Sequence, residues 1–271
     1  FATMYPELMV LTVFVLIFLY DVFSSEKGKK ALTPLALILF GVMTVAMWFI
    51  PVTSTIAFGG MYENSTVCVA IKGILNLGVF LVLLQAVNWI DSEGASIRKG
   101  EFYELLFTTL FGMYLMISAR HFLLFIIGLE TASLPLACMV AFNKNKYESR
   151  EAAIKYIMTA VFSSAVLMMG LSLTYGLGNG SLYFKDLATT IVSGEANFGL
   201  IVALAFVIAG FGFKLSLVPF HLWTADVYQG APTAVTSYLS VISKGAAAFA
   251  ILVCLCQVFG QVYSCLLYTS P

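Results

Sequence analysis

The chain has 271 residues, of which 61% are hydrophobic and 10% are charged, and its formal net charge is zero. Soluble domains carry about 25% charged residues, so this composition and a mean hydropathy of +0.96 exclude an ordinary soluble enzyme. They indicate a chain that crosses a membrane several times. Zero net charge argues against nucleic-acid binding, and no Gly-rich phosphate loop or dinucleotide fingerprint is present.

Apolar runs of membrane-spanning length recur along the chain. Because a helix needs about 20 apolar residues to cross the hydrocarbon core, we predict eight spans, at 4–23, 31–50, 67–90, 102–118, 121–142, 152–177, 198–228 and 232–259. The seventh span is predicted to break near Pro219, because proline interrupts helical hydrogen bonding. The fold class is therefore all-α and polytopic.

Basic residues alternate between the loops. The loops after the first, third and fifth spans hold Lys27, Lys29, Lys30, Arg98, Lys99, Lys144, Lys146 and Arg150, whereas the other loops hold only Arg120 and Lys185. The positive-inside rule then puts the N-terminus outside the cytoplasm. Lys72, near the start of the third span, is predicted to snorkel to the membrane surface.

The two ends of the chain carry their own expectations. The first residue is Phe1 and not methionine, so we expect the chain to lack part of its N-terminus. No positive charge precedes Lys27, so Leu8–Phe23 is predicted to be a retained span and not a cleaved signal peptide.

Three isolated charges lie deep in apolar spans: Glu130, Lys214 and Lys244. A charge at the centre of a membrane helix costs roughly 2.5–3.5 kcal/mol even on a lenient scale, and such residues mark ion or proton paths. Burial disfavours the charged form of a group, and an opposite charge restores it. We therefore predict that Lys214 is a loadable proton site whose hold on the proton depends on Glu130. The alternative is a static ion pair that fixes helix packing.

Polar stripes predict which faces point inward. Two stripes have helical spacing: Thr233, Ser237, Ser240 and Lys244 in the eighth span, and Lys155, Thr159 and Ser163 in the sixth. We expect both to face the bundle interior, either on a wet cavity or as hydroxyl contacts between helices. Lys155 is open to an entry role or to snorkelling at the cytoplasmic surface. His221, just past the predicted break, is a candidate proton relay or a structural histidine.

These residues stand in a pattern that resembles a known family. The matching stretches, from about Glu101 onward, are Phe125–Pro135, Glu151–Tyr156, Gly210–Trp223, Asp226–Thr233 and Ser240–Lys244. They are similar to the antiporter-like membrane subunits of respiratory complex I, the proton-pumping NADH:quinone oxidoreductase. The sequence of Asp226–Thr233 is most similar to that of the subunit N branch, the chain 2 homologue.

The resemblance implies roles for single residues. Glu130 would be the glutamate of the family's Lys–Glu pair, Lys214 its central lysine and Lys244 the connecting lysine, with Lys155 and His221 along the proton path. It also implies that this chain holds no cofactor of its own. NADH, FMN, iron–sulfur clusters and quinone would belong to partner subunits. The chain would contact other membrane subunits of complex I, and it would lie in the plasma membrane of a bacterium.

The resemblance also implies a domain plan. Residues 1–100 would form an N-terminal three-helix segment, and 101–260 the first five-helix repeat of an inverted-repeat fold. We expect the second repeat to be missing from this chain, and 261–271 does not continue the family pattern. Two other functions stay open: a subunit of a multi-subunit cation/proton antiporter, which shares the Lys–Glu arrangement, and a passive scaffold bundle without an ion path.

Overall fold

The computed structural model describes residues 2–24, 31–51, 55–92, 98–177, 180–193 and 198–258. The helices are α1 (Tyr5–Phe23), α2 (Leu32–Phe49), α3 (Thr66–Ser92), α4 (Lys99–Ser118), α5 (Phe122–Val140), α6 (Tyr147–Leu177), α7 (Phe184–Ser193), α8 (Phe198–Leu215), α9 (Leu222–Gly230) and α10 (Thr233–Val258). An antiparallel hairpin, β1 (Thr55–Ala57) and β2 (Tyr62–Asn64), precedes α3. The predicted loop residues Lys27, Lys29 and Lys30 and the stretch 261–271 lie outside the described residues.

Helices occupy all eight predicted spans, so the all-α membrane fold is confirmed. By length and composition, the described part of the chain has seven helices that can cross a membrane: α1, α2, α3, α5, α6, α8 and α10. Helix α4 is not among them, because its first turns carry Lys99, Glu101 and Glu104. The hairpin and α7 were not predicted, since both lie in polar connections that show no long apolar run.

Helix α4 runs through the middle of the bundle. It packs against α1, α2, α3, α5 and α10, and most of its side chains are buried. Protein rather than lipid surrounds it, so its polar groups can bond to neighbouring helices instead of facing hydrocarbon. This position explains how a span with three charges in its first turns is accommodated.

Glycines bring α5 against α4 and α8 against α6. A Cβ atom at Gly112 would lie 2.4 Å from the backbone nitrogen of Ala132, and one at Gly210 would lie 2.7 Å from the Cβ of Leu167. Small residues of this kind let the backbones of membrane helices approach closely. The hydroxyl of Ser163 on α6 then donates to the Gly210 carbonyl, 2.9 Å away. The two contacts set the positions of α5, α6 and α8.

The predicted break of the seventh span is confirmed, and it begins before the proline. Ser216 adopts a left-handed conformation with φ of 58°. The amide of Leu217 donates to the Gly212 carbonyl at 2.8 Å, and that of Ser216 to the Phe213 carbonyl at 3.1 Å. This pair of bonds is a Schellman motif, which ends a helix while satisfying its last carbonyls. Pro219 then prevents helical structure just before it, and the chain resumes as α9.

Candidate functional site

Lys214 lies in the last turn of α8, where the helix dipole favours a cation. Its ammonium donates a hydrogen bond to the hydroxyl of Ser133 on α5. Ser133 is buried, and its hydroxyl donates a hydrogen bond to the Leu129 carbonyl. The sequence did not single out Ser133, because it is one small hydroxyl in a helix of small and apolar residues.

Glu130 lies one turn before Ser133 on α5. Its Oε1 atom is buried and has no hydrogen-bond partner among the described residues. Glu130 is close enough to Lys214 to interact with it electrostatically. No direct ion pair joins these two described side chains, and Ser133 holds the ammonium instead. The structure therefore brings the predicted pair onto adjoining helices in an open arrangement, without a direct ion pair.

Lys214 and Lys244 line one cavity. It also contacts Tyr156, Thr159, Ser163, Trp223 and Ser243, and its volume is about 20 Å³. A cavity of roughly 10–15 Å³ is enough for one water molecule. The structure thus places a lysine of α8 and a lysine of α10 on one space that is large enough for a single water.

Aromatic rings hold Lys244. Its Nζ lies 5.1 Å from the ring centre of Tyr228 and 6.0 Å from that of Trp223. Trp223 packs edge-on against Tyr156 of α6 at 5.5 Å. Rings stabilise a cation through their quadrupoles, by up to about 2 kcal/mol when water is excluded. In the described part of the chain the ammonium of Lys244 has no hydrogen bond. The two aromatic rings and a water in the cavity are therefore the groups that can stabilise its positive charge.

A π-helical turn, Tyr238–Ser243, immediately precedes Lys244. Such turns are rare and often occur at functional sites. The predicted stripe assumed uninterrupted α-helical spacing, and here it was partly wrong. Ser240 bonds back to the Ser237 carbonyl, whereas Ser243 faces the cavity beside Lys244. The extra residue in the turn changes the face that the hydroxyls share with the lysine.

The predicted stripe on α6 also lies only partly on the cavity. Thr159 and Ser163 line the cavity, as predicted, and Lys155 does not. Lys155 forms ion pairs with Glu151 at 2.7 Å and with Asp226 of α9 at 2.6 Å, and 41% of its side chain is exposed. These groups border a separate open cavity of about 180 Å³. Sequence reasoning missed Asp226, although it opens the motif after the helix break.

His221 lies at the start of α9 and is exposed. It does not line the cavity of the two lysines. The structure therefore does not bring His221 to the predicted relay. In the described residues no cluster of three or more His, Cys, Asp or Glu side chains is suited to a metal ion.

The prediction that Lys72 snorkels was wrong. Its side chain is fully buried and forms an ion pair with Glu7 of α1 at 2.5 Å. It also donates to the hydroxyl of Ser118 on α4, 2.7 Å away. Lys72 stays inside because a carboxylate from a distant helix meets it there, and no local pattern around Lys72 indicates that partner.

Comparisons with known proteins agree with this fold. The model of the NADH:quinone oxidoreductase/Mrp antiporter transmembrane family matches residues 119–270. The chain is 49% identical to NADH-quinone oxidoreductase subunit N of Azobacteroides pseudotrichonymphae, over 94% of the chain and 53% of that protein. It is 48% identical to the same-named protein of Phocaeicola vulgatus, over 96% of the chain and 54% of the relative.

Solved structures give the same result. Respiratory complex I from Thermus thermophilus with bound aureothin contains a chain that matches with a TM-score of 0.74 and 29% identity, over 91% of this chain and 52% of that one. The archaeal membrane-bound sulfane sulfur reductase matches at 0.69 and 20% identity, which shows the fold alone. The chain spans about half the length of the curated relatives it matches. It belongs to the NADH:quinone oxidoreductase/Mrp antiporter transmembrane family.

Proposed function

We propose that this chain acts within the proton-translocating membrane subunit, subunit N, of a NADH:quinone oxidoreductase. The two relatives that carry this name support the proposal, since they are nearly half identical to the chain along almost all of its length. On this proposal, NADH, FMN, iron–sulfur clusters and quinone belong to partner subunits. The partners also include other membrane subunits and the surrounding lipid bilayer. The chain would lie in the bacterial plasma membrane with its N-terminus outside the cytoplasm.

One observation carries the mechanism: Lys214 and Lys244 line the same water-sized cavity. Two ammonium groups in so small a space repel each other in a medium of low dielectric constant. A proton bound to one amine therefore weakens the binding of a proton to the other. A water in the cavity would accept a hydrogen bond from one amine and donate to the other, so a proton could pass between them.

Glu130 would control this exchange. In the open arrangement, its Oε1 atom has no partner among the described residues and Ser133 holds the Lys214 ammonium. Movement of Glu130 onto the amine would favour the charged lysine, and withdrawal would favour release of its proton. The short distance along α5 between Glu130 and Ser133 allows the ammonium to change partners with little motion of the backbone.

The ion pair of Lys155 with Asp226 lies outside this cavity, at the end of α6 from which we propose that protons enter. This ion pair would deliver the protons along α9, which also carries Tyr228, the ring that contacts Lys244.

We also keep the predicted domain plan as a proposal, with 1–100 as an N-terminal segment and 101–260 as the first of two repeats. Relatives about twice as long as the chain support it.

The test is proton pumping by the whole complex with a full-length subunit that carries Glu130→Gln or Lys214→Ala. We expect normal assembly and a severe loss of protons moved per electron, because one variant removes the controlling charge and the other removes the amine. Lys185→Ala, an exposed lysine of α7 outside the cavity, is the matched control and should pump normally. Normal pumping by both site variants contradicts the proposal.

A further inference from the structure

The proposed function leaves one pair of fully buried charges unused. Glu7 and Lys72 are 1% and 0% exposed, and their charged atoms lie 2.5 Å apart. Ionisable groups that are buried within membrane helices are rare and often mark ion paths. The pair lies at the end of the bundle where α1 and α3 begin and α4 finishes.

A hydroxyl group bonds to each of the two charged side chains. The hydroxyl of Tyr62 in the hairpin donates to the second oxygen of Glu7 at 2.7 Å, and Ser118 accepts from Lys72. Burial, and then the charge of Glu7, raise the pKa of Tyr62 well above its ordinary value, so the phenol remains a donor. Over the hairpin, Arg120 pairs with the partly exposed Glu63 at 2.8 Å. A partly solvated ion pair thus lies above the buried one.

Two separate polar contacts lie further along α4 from the pair. Lys72 lies 5.3 Å from the ring centre of Tyr114, whose hydroxyl donates to Asn76 of α3 at 2.5 Å. Further along the same helix, Thr109 shares a 2.6 Å hydrogen bond with Tyr238. Tyr238 begins the π-helical turn that ends beside Lys244. Each contact joins α4 to another helix.

We propose that Glu7 and Lys72 form a second proton-exchanging Glu–Lys pair, which is closed in this structure and exchanges protons with Lys244 along α4. This inference rests on the proposed function. The step is a proton transfer from the Lys72 ammonium to the Glu7 carboxylate, which leaves a neutral amine and a carboxylic acid. Since the net charge of the pair is zero before and after, both forms are compatible with burial.

Two full-length variants, assembled in the whole complex, distinguish exchange from packing. Lys72→Arg keeps a cation for Glu7 but does not release its proton. The double variant Glu7→Gln with Lys72→Met removes both charges, and replacement of a buried pair by uncharged groups often leaves folding intact. We expect both complexes to assemble and to oxidise NADH, with a several-fold fall in protons pumped per electron.

The matched control is Thr44→Val, which removes a buried hydroxyl of α2 whose single hydrogen bond among the described residues goes to the Phe40 carbonyl of its own helix. It should pump normally. A Lys72→Arg complex or a double-variant complex that pumps at the unmodified ratio overturns the inference, because the pair would then only hold helices together. If Glu130→Gln and Lys214→Ala also pump normally, the proposed function fails. If only the Glu7 and Lys72 variants pump normally, the proposed function stands and the second proton-exchanging pair is rejected.

Discussion

The bundle holds two Glu–Lys sets of the same chemistry in different states. Glu7 and Lys72 are in direct contact, and their charged atoms are bonded to hydroxyls. Glu130 and Lys214 are apart, one carboxyl oxygen is without a partner in the described residues, and the lysine borders a water-sized cavity. On our proposal, opening such a pair would replace the ion pair by a serine contact and leave the amine beside a cavity.

The largest expected effect comes from breaking the closed set on one side only. Lys72→Met leaves the Glu7 carboxylate buried without a counter-charge, which in other buried pairs costs about 3–5 kcal/mol. We expect the complex to lose assembly, as measured by the amount of subunit in the intact complex on native gels. The added substitution Glu7→Gln should restore it. Wild-type amounts for Lys72→Met alone would show that the pair is not enclosed as described.

The open set depends on the close approach of α4 and α5, which gives the next largest effect. In Gly128→Leu the new Cβ would lie 2.7 Å from the Met116 backbone nitrogen, so α5 must move and carry Glu130 with it. We expect lower thermal stability and a strong loss of pumping. Gly176→Leu is the matched control, because nothing lies within 4 Å of its Cβ position. Equal behaviour of the two variants would contradict the glycine contact.

A smaller effect is expected at the aromatic wall. Trp223→Leu removes one of the two rings near Lys244 and should weaken the support of its charge by about 0.5–2 kcal/mol. Pumping should fall partially, with assembly unchanged, in measurements of protons per electron on reconstituted vesicles. Leu222→Ala, an exposed neighbour, is the control. If the Trp223→Leu complex pumps as many protons per electron as the unmodified complex, the Trp223 ring does not contribute to proton transfer at Lys244.

The smallest effect on stability is expected for Asp226→Asn. Lys155 is exposed and keeps a second partner, Glu151, so loss of one surface ion pair should hardly change the melting temperature. On our proposal for the entry side, the rate of pumping at low proton concentration should still decrease. A large fall in melting temperature would show that this ion pair is a structural clamp and not an entry group.

Much of the fold could be predicted from the sequence, because hydrophobic runs of spanning length and a proline carry that information in single stretches. Glu130, Lys214 and Lys244 were found for the same reason, as lone charges in apolar runs. Their proposed roles remain predictions. The contact with Ser133 could not be predicted, since it depends on how closely α5 approaches α8.

Two further features were not readable from local patterns. The partner of Lys72 is Glu7, which lies in another helix, and no periodicity relates the two. Ser243 replaced Ser240 at the cavity because a π-helical turn changes the register, and residues in that turn do not differ in type from those of an ordinary helix. Both cases concern tertiary contacts between helices, which hydropathy and spacing do not encode.

The most direct test of the central claim is proton pumping by a full-length Lys214→Arg complex. Arginine keeps the positive charge and can still donate to Ser133, but it does not give up a proton. If Lys214 exchanges protons in the cavity that it shares with Lys244, the complex should assemble and pump far fewer protons per electron. An unchanged ratio would mean that only the charge of Lys214 matters, and the account of a proton-exchanging amine would be wrong.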